Sequence, residues 1–149
     1  MKQHILCLLV CSIMIGCTKK DGDTPSVSKT KTQLLTQKEW ILTTSQSRKS
    51  SESTWTDLLA GKAACVLDDK FVFKTDGIYQ QTDGATKCNA SDPFIIFTSS
   101  WAFAQNETQI VIGGGVPLTI ATLDETTLST TSTKLVGGVT YLYTDTYKH

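Results

Sequence analysis

The chain has 149 residues, of which 40% are hydrophobic and 19% charged, with 14 basic and 14 acidic side chains. That length holds one domain with a modest core. The even charge argues against a nucleic-acid or polyanion partner, which a basic surface would bind.

The first segment is unlike the rest. Lys2 gives a short positive start, and residues 5–15 form an apolar run broken only by Cys7, Cys11 and Ser12. Such a run is too short to span a bilayer but suits the core of a signal peptide. Met14-Ile15-Gly16-Cys17 follows, and a small residue before cysteine at this place resembles the lipobox of bacterial lipoproteins, with Met14 where leucine is usual. The resemblance implies cleavage after Gly16 and an acylated Cys17 carrying a diacylglycerol thioether. Residues 1–16 are thus expected to be a signal peptide. The remainder is expected to be held on the outer membrane by lipid, at the cell surface or on the periplasmic face. Two or more acyl chains make such an anchor stable. Loss of Lys2 and His4 would tip the charge by one unit to negative and leave His149 as the sole histidine.

Residues 17–32 are polar and carry no apolar periodicity, so they are expected to form a lipidated flexible tether reaching roughly 20–25 Å. Within it, Lys19-Lys20-Asp21-Gly22-Asp23 resembles the short export signal of surface lipoproteins in the Bacteroidota.

A folded domain is expected over 33–149. Residues 34–40 predict one helical turn leading into a strand at 40–47. Residues 54–61 predict a short helix capped by Thr54 and ended by Gly61. Further strands are predicted at 70–74, 78–82, 94–98, 100–104, 108–112, 117–123, 127–134 and 139–147, where Thr, Val, Ile and aromatics alternate between Gly-, Asp- and Asn-bearing turns. One hairpin is specified in detail. A three-residue loop with Gly77 left-handed pairs Phe73 with Tyr79 and turns Phe71, Phe73 and Tyr79 inward, whereas a two-residue Asp76-Gly77 turn would mix polar and aromatic residues on both faces. Trp101 shares a face with Phe103, and Tyr141 with Tyr143. Leu118, Ile120 and Thr122 alternate against Thr119, Ala121 and Leu123. The pattern is all-β: an antiparallel up-and-down barrel of about eight strands with one or two short helices, since closure removes the open edges of a meander. A two-sheet sandwich is the alternative.

Of the five cysteines, Cys7 and Cys11 belong to the signal and Cys17 to the lipid. Cys65 and Cys88 remain, and in an exported domain they are most simply a disulfide. Free buried thiols or a metal pair are the alternatives, but no nearby histidine completes a zinc site.

Cys65 to Phe73, Asp76-Gly77-Ile78-Tyr79, Gly84 to Cys88 and Trp101-Ala102-Phe103, with Leu34-Leu35-Thr36 leading to Trp40, resemble the lipocalin-like domains of Bacteroidota lipoproteins. Lys38 departs from the glycine that lipocalins place two residues before this tryptophan. The resemblance covers about 33–149 and implies a ligand-carrying barrel. The candidate lining is Trp55, Phe71, Phe73, Tyr79, Phe94, Trp101, Phe103, Tyr141 and Tyr143, with Trp55 and Phe94 as lids over a small apolar or amphipathic molecule. Core packing is the competing role for these aromatics. The second functional reading is a filled barrel that presents residues 48–62 and 83–99 to a protein or glycan.

Catalysis is not expected. Without an internal histidine there is no Ser-His-Asp or Cys-His machinery. The adjacent pairs Asp68-Asp69 and Asp124-Glu125 cannot face one cleft from a strand, and both read as solvated turn or cap residues. Gly113-Gly114-Gly115 lacks the Lys-Ser/Thr and helix of a phosphate loop. No cofactor or metal is expected.

Overall fold

The computed structural model describes residues 28–149, so the expected signal peptide, Cys17 and most of the tether lie outside the described residues. The fold opens with α1 (Lys31–Thr36), followed by β1 (Trp40–Lys49), β2 (Thr56–Asp57) and α2 (Ala64–Leu67). Seven strands complete it: β3 (Lys70–Phe73), β4 (Ile78–Thr82), β5 (Ile95–Ala104), β6 (Gln109–Ile112), β7 (Leu118–Leu123), β8 (Thr127–Val136) and β9 (Val139–Lys148).

α1 begins inside the stretch expected to be tether. Thr30 and Gln33 form a reciprocal cap, in which the Thr30 hydroxyl accepts from the Gln33 N–H and the Gln33 side chain accepts from the Thr30 N–H. Two of the otherwise orphaned N–H groups are thereby satisfied, which sets the start three residues before Leu34.

The sheet runs β1-β3-β4-β5-β6-β7-β8-β9, and β9 returns to pair with β1 from Ile41↔Lys148 to Lys49↔Tyr141. Every pairing is antiparallel, so eight strands close an up-and-down barrel and the sandwich is excluded. Closure removes both long edges that a meander would expose. The residues expected as two strands at 94–98 and 100–104 form the single strand β5.

The expected helix at 54–61 does not form. Thr56 and Asp57 instead pair with Ser47 and Gln46 of β1. β3 meets β1 only at Trp40 and Ile41, so the upper edge of β1 is left for β2 to cover. Asp57 then accepts from the Leu59 N–H and turns the chain.

The β3–β4 hairpin has the expected register. Phe73 pairs with Tyr79, Lys74 N–H donates to Ile78, and Gly77 takes φ +82°. That conformation suits glycine because an added side chain would crowd the backbone. β7 departs from simple alternation. A register shift between Ile120 and Thr122 makes Ala121 the extra residue of a bulge. Leu123 therefore packs on the core with Leu118 and Ile120, although alternation had set it on the opposite face. A second shift, at Thr43 of β1, lets Trp40 and Ser45 both be buried.

The strand directions give the barrel two unlike ends. α1, the turns 74–78, 105–108 and 124–126, and the C-terminus gather at one. Around this closed end lies the core of Leu35, Trp40, Phe73, Tyr79, Trp101, Ile110 and Leu128. The connections 50–69, 83–94, 113–117 and 137–138 form the other end.

Candidate functional site

The aromatics divide by height in the barrel. Phe73, Tyr79 and Trp101 are buried, and Phe71 and Phe103 pack against them. Trp101 stands edge-on to both Phe73 and Phe103, with centroids 5.6 and 5.3 Å away, and its indole N–H donates to the Lys74 carbonyl at 2.9 Å. Offset and edge-on contacts of this kind fill a core efficiently. These five candidates fill the interior of the closed half.

Above them the interior becomes polar. The Ser45 hydroxyl donates to Asp145 Oδ1 at 2.6 Å, and Thr130 stands directly opposite Asp145 on β8. Burial holds the Asp145 carboxyl above the usual carboxylate range, while the Ser45 hydrogen bond and Lys134 pull it back. Burial also raises the phenols of Tyr79 and Tyr147, and the second is raised further by Asp145 and by Tyr79.

Toward the open end lies a cleft of about 480 Å³ whose lining includes Trp55, Val116, Pro117, Leu142 and Tyr143. It sits where the barrel wall is thinnest. β7 meets β6 through only Gln109↔Thr119 and Ile110↔Leu118, and β8 beyond Thr131 has no β7 partner. The loop carrying Val116 and Pro117 fills part of that gap. A cation stands over each aromatic of the cleft. Arg48 lies 5.0 Å from the Trp55 ring centre and Lys134 lies 5.1 Å from that of Tyr143. The structure therefore brings Trp55 and Tyr143 together. Tyr141 neighbours Tyr143 at 6.5 Å without lining the cleft, and Phe94 stands 60% exposed on a different connection, away from it.

Sequence reasoning did not single out Arg48, Lys134, Val116, Pro117 or Leu142. No short-range pattern marks them, because the cleft is assembled from five separate segments.

A second cavity of about 330 Å³ adjoins the disulfide of Cys65 and Cys88, whose Cα atoms are 5.2 Å apart. Asp69 and Asp83 line it. The expectation that Asp68-Asp69 is solvated is corrected here, because Asp69 is 5% exposed. Asp124 does act as a turn residue, accepting from the Thr126 and Thr127 N–H groups, which lowers its pKa. Among the described residues no trio of His, Cys, Asp or Glu is placed to hold a metal ion, and no helix is long and apolar enough to cross a membrane.

The chain matches no family model, no curated protein and no solved structure.

Proposed function

We propose that the barrel is a non-catalytic binding module, tethered through lipid at Cys17, that holds a small apolar or amphipathic molecule in the cleft beside Trp55. The observation that carries this reading is the cleft itself. Its volume of about 480 Å³ suits a small-molecule site, and its wall joins an aromatic pair, Val116, Pro117 and Leu142 to the polar side chains of Gln109, Thr119, Thr131, Ser132 and Thr133. Arg48 and Lys134 at the two rings favour a ligand with an anionic head group and an apolar body.

Tryptophan fluorescence tests the binding reading directly. Trp40 and Trp101 are buried with their indoles bonded to backbone carbonyls, so Trp55 is the tryptophan that a cleft ligand touches. Titration of the domain with dodecanoate should give a saturable change that disappears in Trp55→Phe. Dodecanol should bind more weakly. A flat titration, or a change that survives Trp55→Phe, overturns the assignment. For the anchor, labelled palmitate fed to the producing cells should mark the protein and fail to mark Cys17→Ser.

A second reading, a surface interaction module, is favoured by the distribution of exposed apolar side chains. Phe94, Ile95, Ile96, Phe97, Leu135 and Val136 all stand exposed at the open end, between 44% and 73%. Apolar groups concentrated at one end mark a contact surface more often than scattered ones do. Cross-linking through residue 94 in intact cells should capture a specific protein if this reading holds.

A further inference from the structure

Carboxylates crowd the cavity of about 330 Å³ beside the Cys65–Cys88 bridge. Asp69 and Asp83 are only 5% and 4% exposed. Asp69 Oδ2 accepts from Gln81 Nε2 at 2.9 Å, but Asp69 Oδ1 and Asp83 Oδ2 have no hydrogen-bond partner among the described residues. Asp68 accepts from the Thr86 N–H through Oδ2 and leaves its own Oδ1 buried and unpartnered. Asp92, also on the lining, accepts from the Asn89 N–H. Among the described residues, Lys87 is the cation that stands beside these four carboxylates. Its Nζ forms a long ion pair with Asp83 Oδ2 at 3.9 Å, beyond hydrogen-bonding distance, and donates its hydrogen bond to the Asp92 carbonyl. Lys70, next to Asp69 in sequence, is paired with Glu39 at 2.6 Å.

A buried carboxylate oxygen without a donor is costly, and two on one cavity wall compound the cost. Burial holds the Asp69 carboxyl above its ordinary range, and Asp83 and Asp68 push it the same way against the Gln81 hydrogen bond. A positive charge at the cavity floor would offset the cost of both carboxylates. A bare metal ion needs several converging oxygen ligands, and among the described residues no three acidic groups are so arranged. The rest of the wall is apolar, made of Val66, Pro93, Ile96 and the disulfide. An ionic floor with hydrocarbon sides matches an organic cation.

We propose that this cavity binds a small organic cation, a primary amine or a guanidinium, whose charged end lies against the Asp69 and Asp83 carboxylates while its hydrocarbon body lies against Val66, Pro93 and Ile96. The site is built from different residues than the Trp55 cleft and selects the opposite charge, so it stands independently of that reading.

The test uses the disulfide-intact chain, labelled with ¹⁵N and followed by amide shifts. The probes are n-butylammonium and benzamidine, with n-butanol and benzyl alcohol as neutral counterparts and calcium chloride as the bare ion. Both cations should give saturable one-to-one shifts centred on Val66, Asp83 and Ile96. The alcohols should leave those amides unmoved, and Asp83→Asn should weaken binding about tenfold or more. Trp55→Ala should bind as the parent does. Alcohols that shift the same amides as strongly overturn the proposal. So does calcium binding there while the amines do not, or unaltered affinity in folded Asp83→Asn and Asp69→Asn variants. The comparison of cation with alcohol in the parent chain holds even if a variant fails to fold.

Discussion

The indole N–H of Trp40 donates to the carbonyl oxygen of Leu35 across 2.9 Å, and both side chains are wholly buried. This bond joins α1 to the barrel wall at the closed end. The His149 ring lies tilted against the indole with centroids 3.8 Å apart, and its Nδ1–H donates to the Glu39 carbonyl, so α1 and the end of β9 meet on one ring. Trp40→Phe keeps most of the apolar contact and removes the donor, leaving the Leu35 carbonyl buried without a partner. It should cost about 1–3 kcal/mol and expose α1 to protease before the barrel opens. Urea unfolding read beside limited proteolysis checks both parts. Equal stability with an intact α1 would show that the bond does not hold the plug.

The Cys65–Cys88 bridge closes a loop with a sequence separation of 23, which holds α2, β3, β4 and the start of the loop to β5. On the chain-entropy estimate such a crosslink contributes about 3.5 kcal/mol by restricting the unfolded chain. Reduction, or the double change to alanine, should lower the urea midpoint accordingly. Protection of amides in the acidic cavity should fall further than protection in β8 and β9, which are paired along their whole length.

Local chemistry and distant pairing were unequally legible. The Phe73–Tyr79 hairpin could be read because Asp76-Gly77 and the aromatic alternation are neighbours in sequence. Closure into a barrel followed from strand count and the hazard of open edges. Thr56-Asp57 could not be read the same way. Its strand character exists only because β3 leaves part of the β1 edge uncovered, a fact of topology rather than composition. Leu58-Leu59 and the later Gly61 meanwhile mimic a helix end. The Ala121 bulge was equally silent, since Leu123 is a strand residue on either face. The capping pair Thr30 and Gln33 was visible at the right spacing, inside a segment whose polarity reads as tether. At the candidate sites the aromatics were legible as residue types, but their division between core and cleft depends on height in the barrel. Asp69 looked solvated because its burial comes from the distant segment carrying Asp83 and Ile96.

Gly84 passes close against Asp68. A Cβ added there would lie 2.1 Å from the Asp68 carbonyl oxygen and 2.5 Å from its Cγ, too near for either to accommodate without backbone movement. Gly84→Ala should therefore destabilise by about 1–3 kcal/mol, as overpacking of a tight contact does. It should also shift Asp68 and the neighbouring Asp83, weakening any cation bound beside the disulfide. Thermal melting and the butylammonium titration measure the two effects. Unchanged melting would mean that the segment 83–86 yields freely.

Asp145 carries a prediction with a definite sign. Its folded-state pKa is raised, chiefly by burial, from the ordinary 3.8. Between those two values the folded chain keeps a proton that the unfolded chain has released, so this group's stabilising contribution is present at low pH and declines as pH rises through the folded pKa. At neutral pH the ionised carboxylate stays at a disadvantage inside the barrel, despite the Ser45 hydroxyl 2.6 Å away. Asparagine keeps an acceptor for Ser45 and carries no charge. Asp145→Asn should therefore be more stable than the parent at neutral pH, with the gap closing below 3.8, where the carboxyl is protonated in both states. Asp124 moves the other way, because the Thr126 and Thr127 N–H groups lower its pKa and its contribution is lost as pH falls. A single acid titration of the parent would mix the two effects. The difference between parent and variant urea midpoints across pH removes the Asp124 share and leaves that of Asp145. A variant less stable than the parent at neutral pH would mean that the charge-assisted Ser45 hydrogen bond outweighs the cost of burying the carboxylate.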